Sequence, residues 1–506
     1  MIIDFATRLQ RFALVCIGSA LVASCQPTVA GHQKLKSVSL KVSPTTPAHT
    51  VDRDAWRGAI PQPAPEVPFA FPEPATFSLS NGMRVYILPR KTGPVSLSLV
   101  IAHGASEVAP RESGLASLAA TMMTEATKTK NHYQLSVAAE SLGSTLTGDA
   151  NRDYVQLRLD TLPEDVARGI ELLAETVTAP AFDRGDFERI RKQHLDDLAA
   201  ERQVPARLAS LVGVRATLGE QLGSPVAGRI STVRDITIEQ VRQWHGSNVH
   251  AKSAALIVIG RVDPKQTLAA AERVLNRLRG KNARPPLAHT VPTQEATTVL
   301  VVDRPGSVQS ALFVSQAFPK RVEPGHAARE ALDNVVGGQF TSRINQNLRE
   351  QHGYTYGARS LTLATRHFGL FAVTTSVETN VTAAAIVEIL KELKQIQYPM
   401  PTRPIQSDEL ARARTGIIES LGAHLEDDHR LLGDFEQLFV FGFPTDYYPQ
   451  YLSQLRQLDV AALAEQTKRL TPDRMSVVVV GDLVSLRAQL ETAKLTYSTA
   501  PAAWLD

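Results

Sequence analysis

Cysteine is nearly absent from this 506-residue chain, which contains only Cys16 and Cys25. Both lie at the N-terminal end, and the rest of the chain has no thiol. This absence excludes disulfide bonds, cysteine-ligated zinc, iron–sulfur clusters and a cysteine nucleophile from the folded body. A surplus of one charge sign is also absent, because 54 Lys and Arg residues stand against 51 Asp and Glu residues. A global basic field that would bind nucleic acid is therefore not expected.

Histidine pairs with metal-binding spacing are absent as well. The 13 histidines contain no His-x-x-x-His pair, and His245 and His250 lie five positions apart. Two imidazoles share one helix face only at spacings of three or four residues, so the sequence offers no helical zinc motif. The chain does have 43% hydrophobic residues, enough to form the cores of about two to four domains.

Residues 1–24 have the pattern of an export signal. Arg8 and Arg11 precede an apolar run over residues 12–23, and small residues follow. This pattern is typical of a signal peptide, and the run is too short for a permanent membrane span. The segment Val22-Ala23-Ser24-Cys25 resembles the bacterial lipobox, which implies that Cys25 is acylated and becomes the mature N-terminus. An ordinary cleaved signal peptide with an incidental cysteine is the alternative.

Residues 25–75 predict a flexible tether, because the stretch lacks apolar periodicity and ends in a cluster of prolines. Gln26 follows the lipobox cysteine, and by the same resemblance it favours the outer membrane over retention in the inner membrane. We therefore expect an exported, periplasmic protein that a lipid anchors to the inner face of the outer membrane.

Strands and helices alternate beyond residue 75. Asn81-Gly82 separates two alternating segments and predicts a hairpin. Further strands are predicted over residues 95–101 and 154–160, and helices are predicted from Gly114 to about Thr124 and from Val166 to Val177. Glycine-rich dinucleotide turns are missing from this pattern. The predicted class is therefore α+β, with an antiparallel sheet and helices packed on one sheet face.

The chain also repeats itself. A helix followed by the apolar strand Ala254–Gly260 has a counterpart that leads to Met475–Gly481, with the two glycines 221 positions apart. We interpret this as two homologous α/β-sandwich domains, at residues 76–283 and 293–490, followed by a tail at 491–506. The proline-containing segment between the two domains is the predicted linker.

These segments together resemble the insulinase or pitrilysin-like (M16) zinc peptidase family over about residues 66–490. The first domain carries Asn81-Gly82, His103-Gly104, Glu112-Ser-Gly-Leu-Ala116 and Met122-Met-Thr-Glu125. The second carries Asp303-Arg-Pro-Gly-Ser-Val-Gln-Ser310, Gly337-Gly338 and Asn347-Leu-Arg-Glu-Gln-His-Gly-Tyr-Thr-Tyr356. Each motif alone is weak, and their order and spacing carry the resemblance.

The chain departs from the family at the zinc motif. Active members have His-x-x-Glu-His directly after the Gly-Leu-Ala segment, where two imidazoles hold Zn²⁺ and the glutamate activates water. Those positions are Ser117, Ala120 and Thr121 in this chain. The third ligand of the family, a glutamate, aligns near Asp197, and a solvated helix face explains this carboxylate better than a zinc site does. The resemblance therefore implies a degenerate site that holds no metal.

A second family feature is retained. Family members use an arginine and a tyrosine seven residues apart in the second domain, and the matching positions are Arg349 and Tyr356, with Tyr354 as a rival for the tyrosine. A guanidinium and a phenol can donate hydrogen bonds to substrate carbonyl oxygens and to a developing oxyanion. A helix-end arginine and a half-buried strand tyrosine are the structural alternative.

Loss of the zinc motif with retention of the Arg/Tyr pair resembles the noncatalytic half of two-subunit members. The resemblance implies a partner subunit that bears His-x-x-Glu-His and zinc, and a peptide substrate that adds to a sheet edge. One alternative is an inert scaffold or peptide-binding protein in envelope assembly. Another is an autonomous peptidase with an unorthodox metal site.

Overall fold

Two six-stranded β-sheets form the framework of the molecule. A computed structural model describes residues 68–279, 290–504 and 506, so the predicted signal peptide and Cys25 lie outside the described residues. The strands of the first sheet are β1 (Ala75–Ser78), β2 (Arg84–Pro89), β3 (Val95–Ile101), β4 (Thr147–Ala150), β5 (Val155–Thr161) and β6 (Ala254–Gly260). Those of the second are β7 (Thr298–Asp303), β8 (Gln309–Phe318), β9 (Ala358–Ala364), β10 (Gly369–Glu378), β11 (Ser476–Gly481) and β12 (Tyr497–Thr499).

The predicted hairpin at Asn81-Gly82 is present. Gly82 has φ +86°, a conformation that glycine adopts without a Cβ penalty. The Asn81 side-chain oxygen accepts a hydrogen bond from the Met83 amide at 3.0 Å. These two features turn the chain so that β1 pairs antiparallel with β2.

The two sheets share one topology, which confirms the predicted duplication of the fold. Their strand orders are β1-β2-β6-β3-β5-β4 and β12-β7-β11-β8-β10-β9. The repeated strands β6 and β11 occupy the same position and end at Gly260 and Gly481. The expected antiparallel sheet needs one correction, because β2 runs parallel to β6, and β7 runs parallel to β11 and β12. Each parallel pair joins strands that are far apart in sequence, as a crossover connection requires.

The longer α-helices of the first half pack around the first sheet, with one exception discussed below. They are α1 (Leu115–Met123), α2 (His132–Glu140), α3 (Val166–Thr178), α4 (Arg184–Glu201), α5 (Pro205–Gly223), α6 (Ile230–Asp235), α7 (Ile238–Asn248) and α8 (Pro264–Leu275). Those of the second half are α9 (His326–Asp333), α10 (Thr382–Ile396), α11 (Ser407–His424), α12 (Asp428–Phe441), α13 (Tyr447–Gln457), α14 (Val460–Thr467) and α15 (Leu483–Thr492). Among the described residues, no helix is both long and apolar enough to cross a membrane.

The two halves exchange a helix. The sequence predicts helices on one face of each sheet, and the structure adds a helix from the other half of the chain on the opposite face. Helix α5 packs on β8 and β11 of the second sheet, and α12 packs on β3 and β6 of the first. At the α5 contact, Gly213 lies against Phe313 so closely that a Cβ would stand 2.2 Å from the ring. The absence of a side chain at Gly213 therefore allows this packing.

A buried carboxylate fixes α12 to the first sheet. Glu436 is fully buried and accepts hydrogen bonds from Arg158 Nη2 at 2.8 Å, from the Ser98 hydroxyl at 2.7 Å and from the Tyr154 hydroxyl at 3.1 Å. A buried ion pair is tolerated only where each charge is well hydrogen-bonded. Because Glu436 would be left without these donors if the helix moved, the network specifies where α12 docks.

A second charged cluster joins the two halves, and we call Glu107, His103, Arg366, His367 and Asp153 the interdomain cluster. Arg366 Nη2 donates to Glu107 at 2.5 Å, and the Arg366 amide donates to the Asp153 carboxylate at 3.0 Å. His103 and His367 also lie against Glu107. Burial alone would raise the pKa of Glu107, but the hydrogen bonds from the two histidines and the nearby Arg366 lower it to about 2.

We predict that Glu107→Gln lowers the free energy of unfolding near neutral pH by on the order of 3 kcal/mol. The folded-state pKa of about 2 lies below the ordinary value of 4.5. The carboxylate therefore makes its full contribution to stability when the pH is above 4.5, the ordinary pKa. That contribution is lost as the pH falls from there toward the folded-state pKa. Urea unfolding at about pH 7 and about pH 3 should show the gap between wild type and variant shrinking in acid. The exposed Glu164→Gln is the control, and a gap that does not change with pH contradicts the assignment.

Candidate functional site

Helix α1 contains Ser117, Ala120 and Thr121, the residues that the sequence resemblance aligns with the zinc motif. The helix begins after Gly114, which has φ +100° and lies against Gly228, so the start of α1 is fixed by close backbone packing. Ser117 and Thr121 are half-buried and share one face, where the Thr121 hydroxyl donates to the Ser117 carbonyl at 3.2 Å. Ala120 is fully buried. This face contains hydroxyl and methyl groups in place of imidazole and carboxylate.

The neighbouring edge strand packs directly against α1. A Cβ on Gly148 of β4 would lie 2.5 Å from the Ala120 carbonyl oxygen and 2.9 Å from the Thr124 methyl group. The backbones of the strand and the helix therefore meet at Ala120. The packing of α1 is that of an ordinary core helix at this point.

The remaining zinc-motif position is solvated. Asp197 is exposed on α4, which packs against α1, and the adjacent Leu198 is the residue that points into the core. Nearby His194 is already hydrogen-bonded through Nε2 to the Ala227 carbonyl at 2.6 Å. Within the described ranges, no group of three or more His, Cys, Asp or Glu side chains is arranged to hold a metal ion. Ser117, Ala120, Thr121 and Asp197 do not fit zinc.

The retained arginine lies on the second domain in a π-helical segment, Gln346–Gln351. The Arg349 guanidinium stands 4.0 Å from the ring centroid of Phe340, and its Nη1 is 3.6 Å from a Glu350 carboxylate oxygen. That Nη1 has no hydrogen-bond partner among the residues that the structure describes. That Nη1 atom is buried, whereas the Arg349 side chain as a whole is 32% exposed. Arg349 is therefore held against an aromatic ring, and another molecule can reach only the exposed part of its side chain.

The two candidate tyrosines differ in accessibility. Tyr356 is 96% exposed, whereas Tyr354 is half-buried and stacks on His352 with ring centroids 4.9 Å apart. The turn that carries Tyr356 is ordered by Thr355, whose hydroxyl donates to the Ser376 carbonyl at 2.8 Å and accepts from the Gly357 amide at 3.1 Å. Tyr356 is thus the accessible phenol of the pair, on a turn that hydrogen bonds hold in place.

The glycine pair at Gly337-Gly338 has a structural role. A Cβ on Gly337 would lie 2.3 Å from the Ser360 amide nitrogen on the edge strand β9. The glycine thus allows the segment after α9 to pack against this strand, as Gly148 does with α1 in the first domain. The predicted close approach of backbone is present at Gly337, and the approaching backbone belongs to this chain.

The segment beside β9 contains a buried acid that the sequence analysis did not single out. Asp333 closes α9, and burial, together with the nearby Glu330, raises the pKa of its carboxyl to about 7. Near neutral pH this group is therefore divided between its charged and neutral forms. No sequence pattern could have shown this, because the shift results from burial by distant segments.

The Arg/Tyr pair and the predicted zinc-motif positions lie in different halves of the chain. In the part that the structure describes, neither Arg349 nor Tyr356 makes a hydrogen bond to the residues of α1. The first domain has a helix face with hydroxyl and methyl groups, and the second has the exposed Tyr356 and the partly exposed Arg349. Phe340, which contacts Arg349, was not identified from the sequence, since nothing distinguishes one exposed aromatic from another before the fold is known.

Two family descriptions match the chain in succession. The insulinase family, peptidase family M16, matches residues 85–229, and the peptidase M16 inactive domain matches residues 235–417. The chain belongs to the M16 peptidase family. The N-terminal match includes the degenerate helix α1, and the C-terminal match includes Arg349 and Tyr356.

Individual M16 relatives are distant in sequence and similar in length. An uncharacterized zinc protease of Streptomyces coelicolor is 22% identical over 395 residues, covering 76% of this chain and 84% of the relative. The non-peptidase homolog YmxG of Helicobacter pylori is 23% identical over 386 residues, covering 74% of this chain and 86% of the relative.

Solved structures share the fold. The peptidase M16 inactive domain from Pseudomonas fluorescens has a TM-score of 0.74 at 22% identity and covers 81% of this chain and 98% of its own. A protease from Helicobacter pylori has a TM-score of 0.74 at 17% identity, with 81% of this chain and 100% of its own covered. The predicted α+β class with two sandwich domains is therefore confirmed.

We predict that Ala120→Glu destabilises the protein by about 2–5 kcal/mol, because it places a carboxylate in a fully buried position without a metal or another partner. Ser117→Glu, one turn away and half-buried, should cost much less and serves as the matched control. Thermal unfolding of both variants measures the difference.

Metal analysis of the purified wild-type chain should find no stoichiometric zinc, and about one tightly bound zinc per chain would contradict the assignment.

Proposed function

We propose that the chain is the noncatalytic subunit of a heteromeric M16-type zinc peptidase. It binds peptide and contributes Arg349 and Tyr356 to a site whose zinc belongs to a separate subunit with an intact His-x-x-Glu-His motif. The observation that carries the proposal is the contrast between the two domains. Ser117, Ala120 and Thr121 stand at the positions that the resemblance assigns to the zinc motif, while in the second domain Tyr356 is exposed and Arg349 is partly exposed.

The chemistry of the two donors supports this role. The exposed part of the Arg349 guanidinium and the exposed Tyr356 hydroxyl can donate to peptide carbonyl oxygens and to the oxyanion formed during hydrolysis. Hydrogen bonds that strengthen as negative charge develops accelerate the reaction more than they tighten binding of the peptide. These residues therefore act on the rate of a reaction whose metal the partner provides.

An extended peptide is the substrate form that we propose. The strand β4 pairs with β5 on one side only, and Thr147 and Asp149 on it are exposed. A peptide that adds to such an edge forms backbone hydrogen bonds without needing a fixed sequence. The complex would accordingly accept short or flexible peptides.

A second candidate function is a catalytically inert M16 scaffold or peptide-binding protein in envelope assembly. The replaced zinc positions favour it equally, and the name of the Helicobacter pylori relative, a non-peptidase homolog, is in line with it. Purification from the native membrane separates the two candidates. A stoichiometric subunit with His-x-x-Glu-His supports the peptidase, and recovery alone or with unrelated assembly factors supports the scaffold.

We predict that Arg349→Ala and Tyr356→Phe each reduce kcat of the reconstituted pair by about 10²-fold, since each removes one donor to the developing oxyanion. Association of the two subunits should not change. Peptide cleavage is measured with the purified zinc subunit, and Tyr133→Phe, which alters another exposed tyrosine, is the control. Unchanged kinetics in both variants would defeat the proposed role of the pair.

Localisation is part of the proposal. We propose that the protein is exported and that an acylated Cys25 anchors it to the periplasmic face of the outer membrane. Cys25→Ser is expected to move the protein from the membrane fraction to the soluble periplasmic fraction, because the acyl chains provide the membrane affinity. Fractionation followed by immunoblotting measures this, and continued tight membrane association of the variant contradicts lipidation.

A further inference from the structure

The second domain has two exposed aromatic side chains at the Arg/Tyr pair: Tyr356, which belongs to the pair, and Phe340, which contacts Arg349. Phe340 is 66% exposed, and Tyr356 is 96% exposed. An isolated exposed apolar residue needs no explanation, but apolar area beside oriented polar groups is typical of a binding site. Phe340 is apolar surface beside an oriented polar group, because its ring contacts the Arg349 guanidinium.

Phe340 orients the arginine. The guanidinium carbon of Arg349 is 4.0 Å from the ring centroid, within the range of a cation–π contact. The contact limits where the guanidinium can point and leaves the phenyl ring largely in solvent. The Nη1 atom, which lies 3.6 Å from Glu350, makes no hydrogen bond within the described part of the chain. That Nη1 atom is buried, whereas the Arg349 side chain as a whole is 32% exposed. The ring therefore presents a free apolar surface beside a partly exposed guanidinium.

A buried asparagine brings the two sides of this surface together. Asn345 donates to the Gln339 carbonyl at 3.1 Å and to the Ala358 carbonyl at 2.7 Å, and its side-chain oxygen accepts from the Ala358 amide at 2.9 Å. Phe340 directly follows Gln339, and Tyr356 precedes Ala358 by two positions. One side chain therefore ties the backbone next to Phe340 to the backbone two positions after Tyr356.

We propose that Phe340 forms a side-chain subsite that selects peptides carrying an aromatic or large aliphatic residue, while it positions Arg349 for the adjacent peptide carbonyl. This inference rests on the proposed function as a peptide-binding subunit. A peptide supplies the two things that the surface lacks, a carbonyl acceptor for Arg349 and an apolar group that covers the ring. Phe340 is a specificity and positioning residue, and Arg349 and Tyr356 contact the peptide backbone.

The test measures selectivity with the full chain, without the zinc subunit. Two fluorescein-labelled peptides of roughly a dozen Gly, Ser and Ala residues are used, one with a single central Phe and one with Ser at that position. Fluorescence anisotropy gives the Kd of each. We expect wild type to bind the Phe peptide about 10-fold more tightly than the Ser peptide, as one well-placed aromatic contact provides.

The variants separate selectivity from stability. Phe340→Ala should abolish the preference without weakening the Ser peptide more than about 2-fold, and Phe340→Trp should retain the preference. Tyr133→Ala, which removes an exposed aromatic side chain elsewhere, should leave both Kd values unchanged. A general loss of folded structure would weaken both peptides together, and this pattern differs from loss of preference alone.

The outcomes distinguish this inference from the proposed function. If wild type binds both peptides equally, or if Phe340→Ala keeps the preference, the subsite is overturned and peptide binding stands. If wild type binds neither peptide at up to about millimolar concentration, peptide binding itself is overturned and the subsite with it. Loss of preference in Phe340→Ala, with retention in Phe340→Trp, supports the subsite.

Discussion

Each sheet of this protein has two apolar faces. One face packs against helices of its own half of the chain, and the other packs against a helix from the other half. Helix α5 covers the second sheet, and α12 covers the first. Separation of the halves would expose both sheet faces, and it would bring Glu436 and Arg158 out of their mutual hydrogen bonds. Exposure of apolar surface and loss of the buried ion pair therefore both oppose separation of the two domains. The two sandwich domains are thus held in one relative position. Glu66–Asp506 accordingly form one compact unit.

This constraint accounts for the survival of α1 without metal ligands. The helix contributes buried Leu118, Ala119 and Met122 to the core of the first domain, and its backbone lies against Gly148. Its apolar residues are needed for folding, whereas Ser117 and Thr121, two of the predicted zinc-motif positions, are only half-buried. The ligands can thus be replaced while the helix remains. The second domain differs, since Arg349 and Tyr356 have no comparable share in the core.

Local sequence patterns predicted the local structure well. The strand at residues 95–101 and the helix after Gly114 are present with nearly the predicted bounds, because alternation and helical periodicity reflect which face is buried nearby. The glycine offset predicted the duplication, and the order of motifs predicted the family. These features depend on short segments or on a simple repeat, so a single sequence contains them.

The features that were not predicted all depend on distant segments. The exchange of α5 and α12 cannot be inferred from periodicity, because an apolar helix face does not specify which sheet it covers. The parallel strand pairs follow from the path of the whole chain. The low pKa of Glu107 depends on His367 and Arg366, more than 250 positions away in sequence. Phe340 differs from any other surface aromatic only through its contact with Arg349.

The exchanged helices also determine how this chain can be divided. A fragment that ends between the two sheets would keep α5 and lack α12, so it would carry one uncovered sheet face and one helix without a docking surface. The complementary fragment would have the reciprocal defect. We therefore expect the two pieces to complement each other, because each supplies the helix that covers the exposed sheet face of the other. Family boundaries drawn along the sequence do not correspond to independently folding units in this protein.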